Sequence, residues 1–282
     1  MANPITYFQA LREAEQRLTR DHQDPSAAQF LLLEGHQWTF TQLVQHYRDQ
    51  VPSDEWQTYQ QQILRVGRGE PAQYVLGHAP FYGRDFQVTP ATLIPREETE
   101  ELVEWVLASM PTPKARVIDV GTGSGAIAVT LQAERPQWQV TATDISTAAL
   151  QVAQANAQRL ASKVRFTSGD LLAPVQGQRF DAIVSNPPYI DRKELAVMDD
   201  SVRRYEPEQA LYAADHGLAF YHRFAAVLTN FLAPKGAFFA EIGYRQGPAV
   251  QALFQQALPE ATVTIRQDMS GHDRMVRVNL TD

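Results

Sequence analysis

A chain of 282 residues is long enough for about two domains and for cores that need no covalent staples. It contains no cysteine, which excludes disulfides, thiolate-ligated zinc or iron–sulfur clusters, and a thiol nucleophile. The net charge is −7, with 6 basic and 9 acidic residues in 1–75 and 19 and 23 in 76–282; neither part has the basic balance that tight binding of bare nucleic acid requires.

The chain opens MANPITYFQALREAEQ, without the basic start and apolar block of a secretory leader. No apolar run approaches the roughly 18 residues that span a bilayer. The expectation is a soluble cytoplasmic protein with no membrane partner. Residues 4–69 read as short helices. Phe8, Leu11 and Leu18 share a helical face, Asp24-Pro25 marks a break, and Thr39 to Gln42 has capping-box spacing. Ser53 is placed to cap a helix carrying Trp56, Tyr59, Ile63 and Leu64. No catalytic pattern lies in this part, and the expectation for residues 1–75 is a small helical, partner-holding domain.

Residues 76–95 form the expected linker. Glycine and proline punctuate two aromatic segments, Phe81-Tyr82 and Phe86 to Val88, and Gly83-Arg84-Asp85 between them predicts a β-hairpin. From residue 96 to 282 helices and strands alternate. The pattern predicts helices over 97–109, 124–134, 146–160, 218–232 and 247–257. It predicts strands at Arg116–Val120, Gln139–Thr143, Val164–Thr167, Asp181–Ser185, Ala237–Ile242, Thr262–Arg266 and Met275–Leu280. Alternation of this kind means an α/β fold, a parallel sheet covered on both faces. The last two strands have no helix between them, which predicts an antiparallel edge.

In a doubly wound sheet ligands bind beyond the carboxyl ends of the strands, so the residues after each apolar run carry the chemistry. After the first strand comes Gly121-Thr122-Gly123-Ser124-Gly125. Glycines at alternate positions let the chain turn tightly and let a ligand approach the main chain, and the helix that follows points free amides at it. Asp144 ends the second strand, 25 positions after Asp119, about where an acid takes ribose hydroxyls; the competing reading is a helix cap. Asp170 ends the third, where an acid can accept from an adenine amino group while the Leu171 amide donates to the ring. Acids at three successive strand ends suit an adenosine beside a cationic or amino group better than a diphosphate. This favours S-adenosylmethionine over NAD. No histidine pair has metal-ligand spacing, and no metal is expected.

The fourth strand runs into Asn186-Pro187-Pro188-Tyr189. Two prolines fix φ and remove two donors, and Asn186 before proline is pushed to an extended conformation. The product is a stiff arch of carbonyls beside an amide and an aromatic ring. The Asn186 oxygen and the Pro187 carbonyl can accept the two protons of a planar NH2 group, and Tyr189 can pack on its face.

Asn-Pro-Pro-Tyr at this place resembles the signature of class I methyltransferases that act on planar nitrogens. The wider match is to the protein-(glutamine) methyltransferase family that modifies peptide chain release factors. It rests on Gly69-Glu70-Pro71 with Tyr74 and Gly77, Phe81 to Arg84 with Phe86, Leu93 to Arg96 with Glu98-Thr99-Glu100, Asp119 to Gly125, Val184 to Ile190, Tyr205 to Pro207, and Gly271 to Arg274. The resemblance runs from about residue 60 to the end; Glu97 stands where many members have proline. It implies a class I methyltransferase Rossmann-like sheet, preceded by the helical domain and the linker. It also implies methyl transfer from S-adenosylmethionine to the side-chain amide of the glutamine in the Gly-Gly-Gln tip of class I release factors, with S-adenosylhomocysteine as product. Carried over by position, Gly121, Gly123 and Gly125 border the methionine part of the cofactor, with Thr122 and Ser124 between them also cofactor-binding, Asp144 holds the ribose, Asp170 and Leu171 the adenine, and Asn186 to Tyr189 the glutamine, with Asn186 also beside the cofactor. Two rivals stand beside this: a methyltransferase for exocyclic amines of adenine or cytosine in nucleic acid, and a catalytically silent binding module. The charged stretch 191–208 reads either as a solvated crossover or as a rim that grips a protein substrate.

Overall fold

A computed structural model describes residues 5–280. The chain divides into two compact units. One holds the chain up to His78 together with Asp199–Tyr205, and the other holds Ala79–Met198 and the chain from Glu206 onward.

The first unit is helical: α1 (Tyr7–Arg20), α2 (Ser26–His36), α3 (Phe40–His46), α4 (Ser53–Gly67), α5 (Ala72–Leu76), and α9 (Asp200–Tyr205) from later in the chain. Capping boxes start α1 and α3: Thr6 with Gln9, and Thr39 with Gln42. Each satisfies two amides that the first helical turn leaves without partners. Ser53 does not cap α4; it is the first helical residue after Pro52, whose ring cannot accept a hydrogen bond. Leu11, Leu18, Leu31, Leu43, Tyr59 and Ile63 fill the core. Burying each such side chain contributes about 1.5–3 kcal/mol. The Tyr59 hydroxyl donates to the Ala28 carbonyl at 2.9 Å, so its polar end is not left bare inside.

From Ala79 the second unit takes up a hairpin, β1 (His78–Phe81, its first residue the last of the first unit) and β2 (Arg84–Gln87), followed by α6 (Glu97–Ser109). The hairpin is integral to this unit: Phe81 and Phe86 are fully buried in its core, and Asn156 clasps Gln87 through both backbone groups. Then come β3 (Arg116–Val120), α7 (Ala126–Glu134), β4 (Gln139–Asp144), α8 (Thr147–Arg159), β5 (Arg165–Ser168) and β6 (Phe180–Ser185). The remainder is α10 (Glu208–Leu211), α11 (Ala219–Ala225), α12 (Leu228–Phe231), β7 (Leu232–Glu241), α13 (Gly247–Ala257), β8 (Thr262–Gln267) and β9 (Asp273–Asn279).

Seven strands form one sheet in the order β5-β4-β3-β6-β7-β9-β8. The first five are parallel, and β9 runs antiparallel to both of its neighbours. One apolar layer gathers Val117, Val129, Leu131 and Phe239 with α6 and the hairpin; the other gathers Ile118, Ile183, Phe238, Phe224 and Phe254. Adjacent residues such as Val117 and Ile118 point to opposite faces, which is why these strands read as continuous apolar runs.

The helix expected over 218–232 is two short helices. Val227 leaves helical geometry at φ −124°, and Leu232 is already extended and pairs with Phe180. Strand β7 therefore starts earlier than expected, and its register shifts between the Phe180–Leu232 and Ala182–Ala237 pairs. Lys235, at φ +61°, turns the chain within that interval.

Strand order reverses between β3 and β6, since the chain moves outward through β4 and β5 and then returns to β6 beside β3. Such a switch point opens a crevice at the carboxyl ends of the strands. The register pairs Val120 with Ser185. The glycine turn that begins at Gly121 and the arch that begins at Asn186 therefore leave the sheet from adjacent strand ends.

Candidate active site

A cavity of the second unit lies over that switch point. Gly121, Thr122, Gly123, Ser124, Asp144, Asp170, Leu171, Asn186, Pro187 and Pro188 line it, together with Thr92, Arg96, Thr99, Ile127, Ile145, Pro207 and Phe220. Gly121 and Gly123 adopt φ +75° and +56°, in the left-handed region that glycine enters without penalty. A Cβ on either meets no other atom within 4 Å and would stand in open space.

Gly125 is different. It is not on the cavity wall, and a Cβ there would lie 3.1 Å from the Ala153 Cβ of α8. Its bare Cα lets α7 and α8 meet closely. Three positions further along α8, buried Asn156 donates to the carbonyls of Ser124 and Gln87. The glycine turn is thus fixed by a side chain that sequence reading missed; a lone asparagine in a helical stretch gives no signal there.

The three acids have three environments. Asp119 is fully buried and absent from the cavity wall. One of its oxygens accepts from Thr122 Oγ1 at 2.6 Å and from the Ala128 amide at 3.2 Å; Oδ1 has no partner. Burial pushes its carboxyl up to about 7, against the pull of those two donors. It secures the turn from beneath, which corrects the expectation of three acids facing one ligand. Asp144 does reach the cavity. Its Oδ2 accepts from the Gly123 amide at 2.9 Å and its Oδ1 from the Ser146 amide at 2.8 Å, while Ser146 itself caps α8. A carboxylate offers about four lone-pair sites, so two remain. Asp170 is half exposed and shares Oδ2 with Arg223. The Arg223 guanidinium also lies over Phe220, 5.6 Å from the ring centre. Leu171 holds φ +48°, and its carbonyl accepts from Thr143 Oγ1 at 3.0 Å.

On the arch, Ser185 donates to the Val120 carbonyl at 2.7 Å and ties β6 to β3 just below the site. Asn186 Nδ2 donates to Thr99 Oγ1 at 3.1 Å, and Thr99 donates to Glu241 Oε2 at 2.7 Å. Tyr189 is not among the residues lining this cavity; its hydroxyl donates to Glu241 Oε1 at 2.9 Å, and Tyr221 donates to the Glu241 carbonyl. Glu241 is buried, which raises its carboxyl above the usual range, while Thr99, Tyr189 and the charge of Arg274 oppose that rise.

The segments Leu93 to Arg96 and Glu206-Pro207, far apart in sequence, meet at one wall. Buried Glu206 accepts from the Ile94 amide at 3.2 Å and pairs with Arg96. Arg96 and Pro207 both line the cavity. In the stretch 191–208, Arg192 pairs with Glu208 and lies over Tyr212, and Arg203 pairs with Asp200. Among the described residues no group of three His, Cys, Asp or Glu is placed to hold a metal ion.

Residues 99–204 match the family described as "Methyltransferase small domain", and residues 9–77 match "PrmC N-terminal domain". The chain is 42% identical over 269 residues to the release factor glutamine methyltransferase of Enterococcus faecalis, covering 95% of this chain and 97% of that one. The chain belongs to the release factor glutamine methyltransferase family. The enzyme of that name from Bacillus subtilis is 41% identical, with 96% of each chain covered. A methyltransferase structure from Pyrococcus furiosus shares the fold at TM-score 0.56 and 17% identity, over 79% of this chain and 98% of that one. Within this family frame, Thr99, Asn156, Glu206 and Glu241 are the site-shaping residues that sequence reading left without a role. The signal for Thr99 and Glu206 was present, since both lie in segments that carried the resemblance.

Proposed function

We propose that the chain transfers a methyl group from S-adenosylmethionine to the side-chain amide nitrogen of the glutamine in the Gly-Gly-Gln tip of class I peptide chain release factors. One observation carries the reading: the glycine turn and the Asn-Pro-Pro arch line one cavity over the switch point. The residues fit the cofactor. At Gly121 and Gly123 a Cβ would project into open space that the bare backbone leaves to a ligand, and Asp144 keeps two lone-pair sites for a ribose diol. Asp170 and Leu171 offer polar groups to an adenine, and Ile145 and Phe220 give the same cavity apolar surface for its ring. When bound, the cofactor supplies an electrophilic methyl group on a sulfonium.

The rest of the chemistry falls to the chain. An amide nitrogen is a weak nucleophile because its lone pair is delocalised. In this reading Asn186 Oδ1 and the Pro187 carbonyl accept the two N–H protons, hold the amide in line, and stabilise positive charge growing on nitrogen. No base with a free path to that nitrogen is required before transfer; the extra proton leaves to solvent afterwards. The helical unit 1–75 holds the protein substrate in this reading, and no direct nucleic-acid contact is needed.

The test uses labelled methyl donor with a release factor, with its Gln→Ala variant at the Gly-Gly-Gln tip, and with DNA. Label in the first alone supports the reading. Label in DNA favours an exocyclic-amine methyltransferase, and label in none favours a silent binding module.

A further inference from the structure

The amide of Asn186 is nearly symmetric in shape, so packing alone does not decide which end faces the cavity. The two ends are opposites in chemistry: Oδ1 accepts hydrogen bonds and Nδ2 donates them. An NH2 group meeting Nδ2 would find a donor where it needs an acceptor. Something outside the arch must set the orientation.

The chain of bonds behind the arch does this. Glu241 is buried at the end of β7, and its two side-chain oxygens receive Tyr189 Oη at 2.9 Å and Thr99 Oγ1 at 2.7 Å. A hydroxyl has one proton. With that of Thr99 given to Glu241, Thr99 shows Asn186 only lone pairs, and Asn186 meets it with Nδ2 at 3.1 Å. Oδ1 is then left for the cavity. The elements packed around Glu241 also bring Glu98, Arg274 and Tyr221; burial and, less strongly, Glu98 oppose the ionised carboxylate, while the hydrogen bonds from Thr99 and Tyr189 and the charge of Arg274 favour that acceptor-only form.

We propose that Thr99 and Glu241 are positioning residues for methyl transfer, holding the Asn186 side chain in the orientation that presents its oxygen to the substrate NH2 group. The relay Glu241–Thr99–Asn186 works as a one-way chain of donors. Thr99 also lines the cavity, and the relay acts on the substrate NH2 group through Asn186. This inference rests on the proposed role of Asn186.

The experiment compares full-length Glu241→Gln, Thr99→Val and Thr99→Ser with the parent chain and with Asn186→Ala. It measures kcat and KM for the release factor, with binding of S-adenosylhomocysteine by calorimetry. A glutamine at 241 can donate as well as accept, and valine at 99 offers no hydrogen bond at all. The expected result is a fall in kcat of at least about tenfold for Glu241→Gln and more for Thr99→Val. KM for the release factor changes less than threefold, Glu241→Gln binds S-adenosylhomocysteine as the parent does, and Thr99→Ser recovers most of the turnover. A merely structural role would not produce a kcat loss with unchanged ligand affinity and rescue by serine. Parent-level kcat in Glu241→Gln and Thr99→Val, while Asn186→Ala is impaired, would overturn the inference alone. Parent-level kcat in Asn186→Ala would overturn the reading beneath it.

Discussion

At the scale of single residues, the proposed site separates side chains that would meet a ligand from side chains that hold the others. In that reading Asp144 does both: each of its oxygens already accepts one backbone amide, from Gly123 and from Ser146, and its free lone pairs serve the ligand. Asparagine at 144 has one acceptor oxygen and no charge, so one of those amides loses its partner and a ribose diol loses its charged acceptor. Asp144→Asn is predicted to weaken S-adenosylhomocysteine binding by at least about tenfold, measured by calorimetry, with a small fall in melting temperature. Tyr189 donates to buried Glu241. Removing its hydroxyl leaves Glu241 Oε1 buried without that donor, at a cost of about 1–3 kcal/mol. Urea unfolding of Tyr189→Phe should show that loss; unchanged stability would mean the buried bond contributes nothing net.

At the scale of elements, the three glycines after β3 have different jobs although they look equivalent in sequence. All three hold positive φ, so alanine at any of them carries backbone strain of order 1–2 kcal/mol. At 123 the new methyl enters the cavity; at 125 it meets Ala153. Gly125→Ala should therefore lose more stability in thermal unfolding, and Gly123→Ala should lose more ligand affinity in calorimetry. The reverse ranking would contradict the assignment of the cavity wall. The elements themselves were largely legible. Val117-Ile118 and Ile183-Val184 announce strands buried on both faces, and the Thr39–Gln42 spacing announces a capping box that the structure contains. The helix expected over 218–232 failed because apolar residues continue through Phe231 and Leu232 into a strand, and an apolar run alone does not distinguish the two. The site was legible where residues act through local backbone, as in the glycine turn and the arch. It was not legible where partners lie far apart in sequence: Thr99 meets Glu241 and Asn186 only because α6, β7 and β6 converge.

At the scale of the whole molecule, a buried acid ties stability to pH. Burial raises Asp119 above its ordinary value, to about 7. The folded chain therefore holds a proton that the unfolded chain releases once pH passes the ordinary carboxylate range. Its contribution is fully present in acid and falls as pH rises, across the interval from about 4 to about 7. One such proton corresponds to a slope of about 1.4 kcal/mol per pH unit. Asp119→Asn should flatten the fall in stability over that interval in denaturant titrations at several pH values; an unchanged slope would place the proton elsewhere. No helix among the described residues is long and apolar enough to cross a membrane. The sheet order explains why two segments some 65 residues apart act at one place. Val120 and Ser185 are register partners, and the glycine turn and the arch that continue from them line the same crevice.

In the proposed mechanism methyl transfer depends most on Asn186, and one comparison tests it directly: single-turnover methylation of a release factor by the parent chain and by Asn186→Ala, each with its S-adenosylhomocysteine affinity. Removing one preorganised partner of a developing charge typically slows the chemical step by about 10²–10³-fold. A loss of that size with affinity held within about threefold is the predicted result. Undiminished methylation by Asn186→Ala would contradict it.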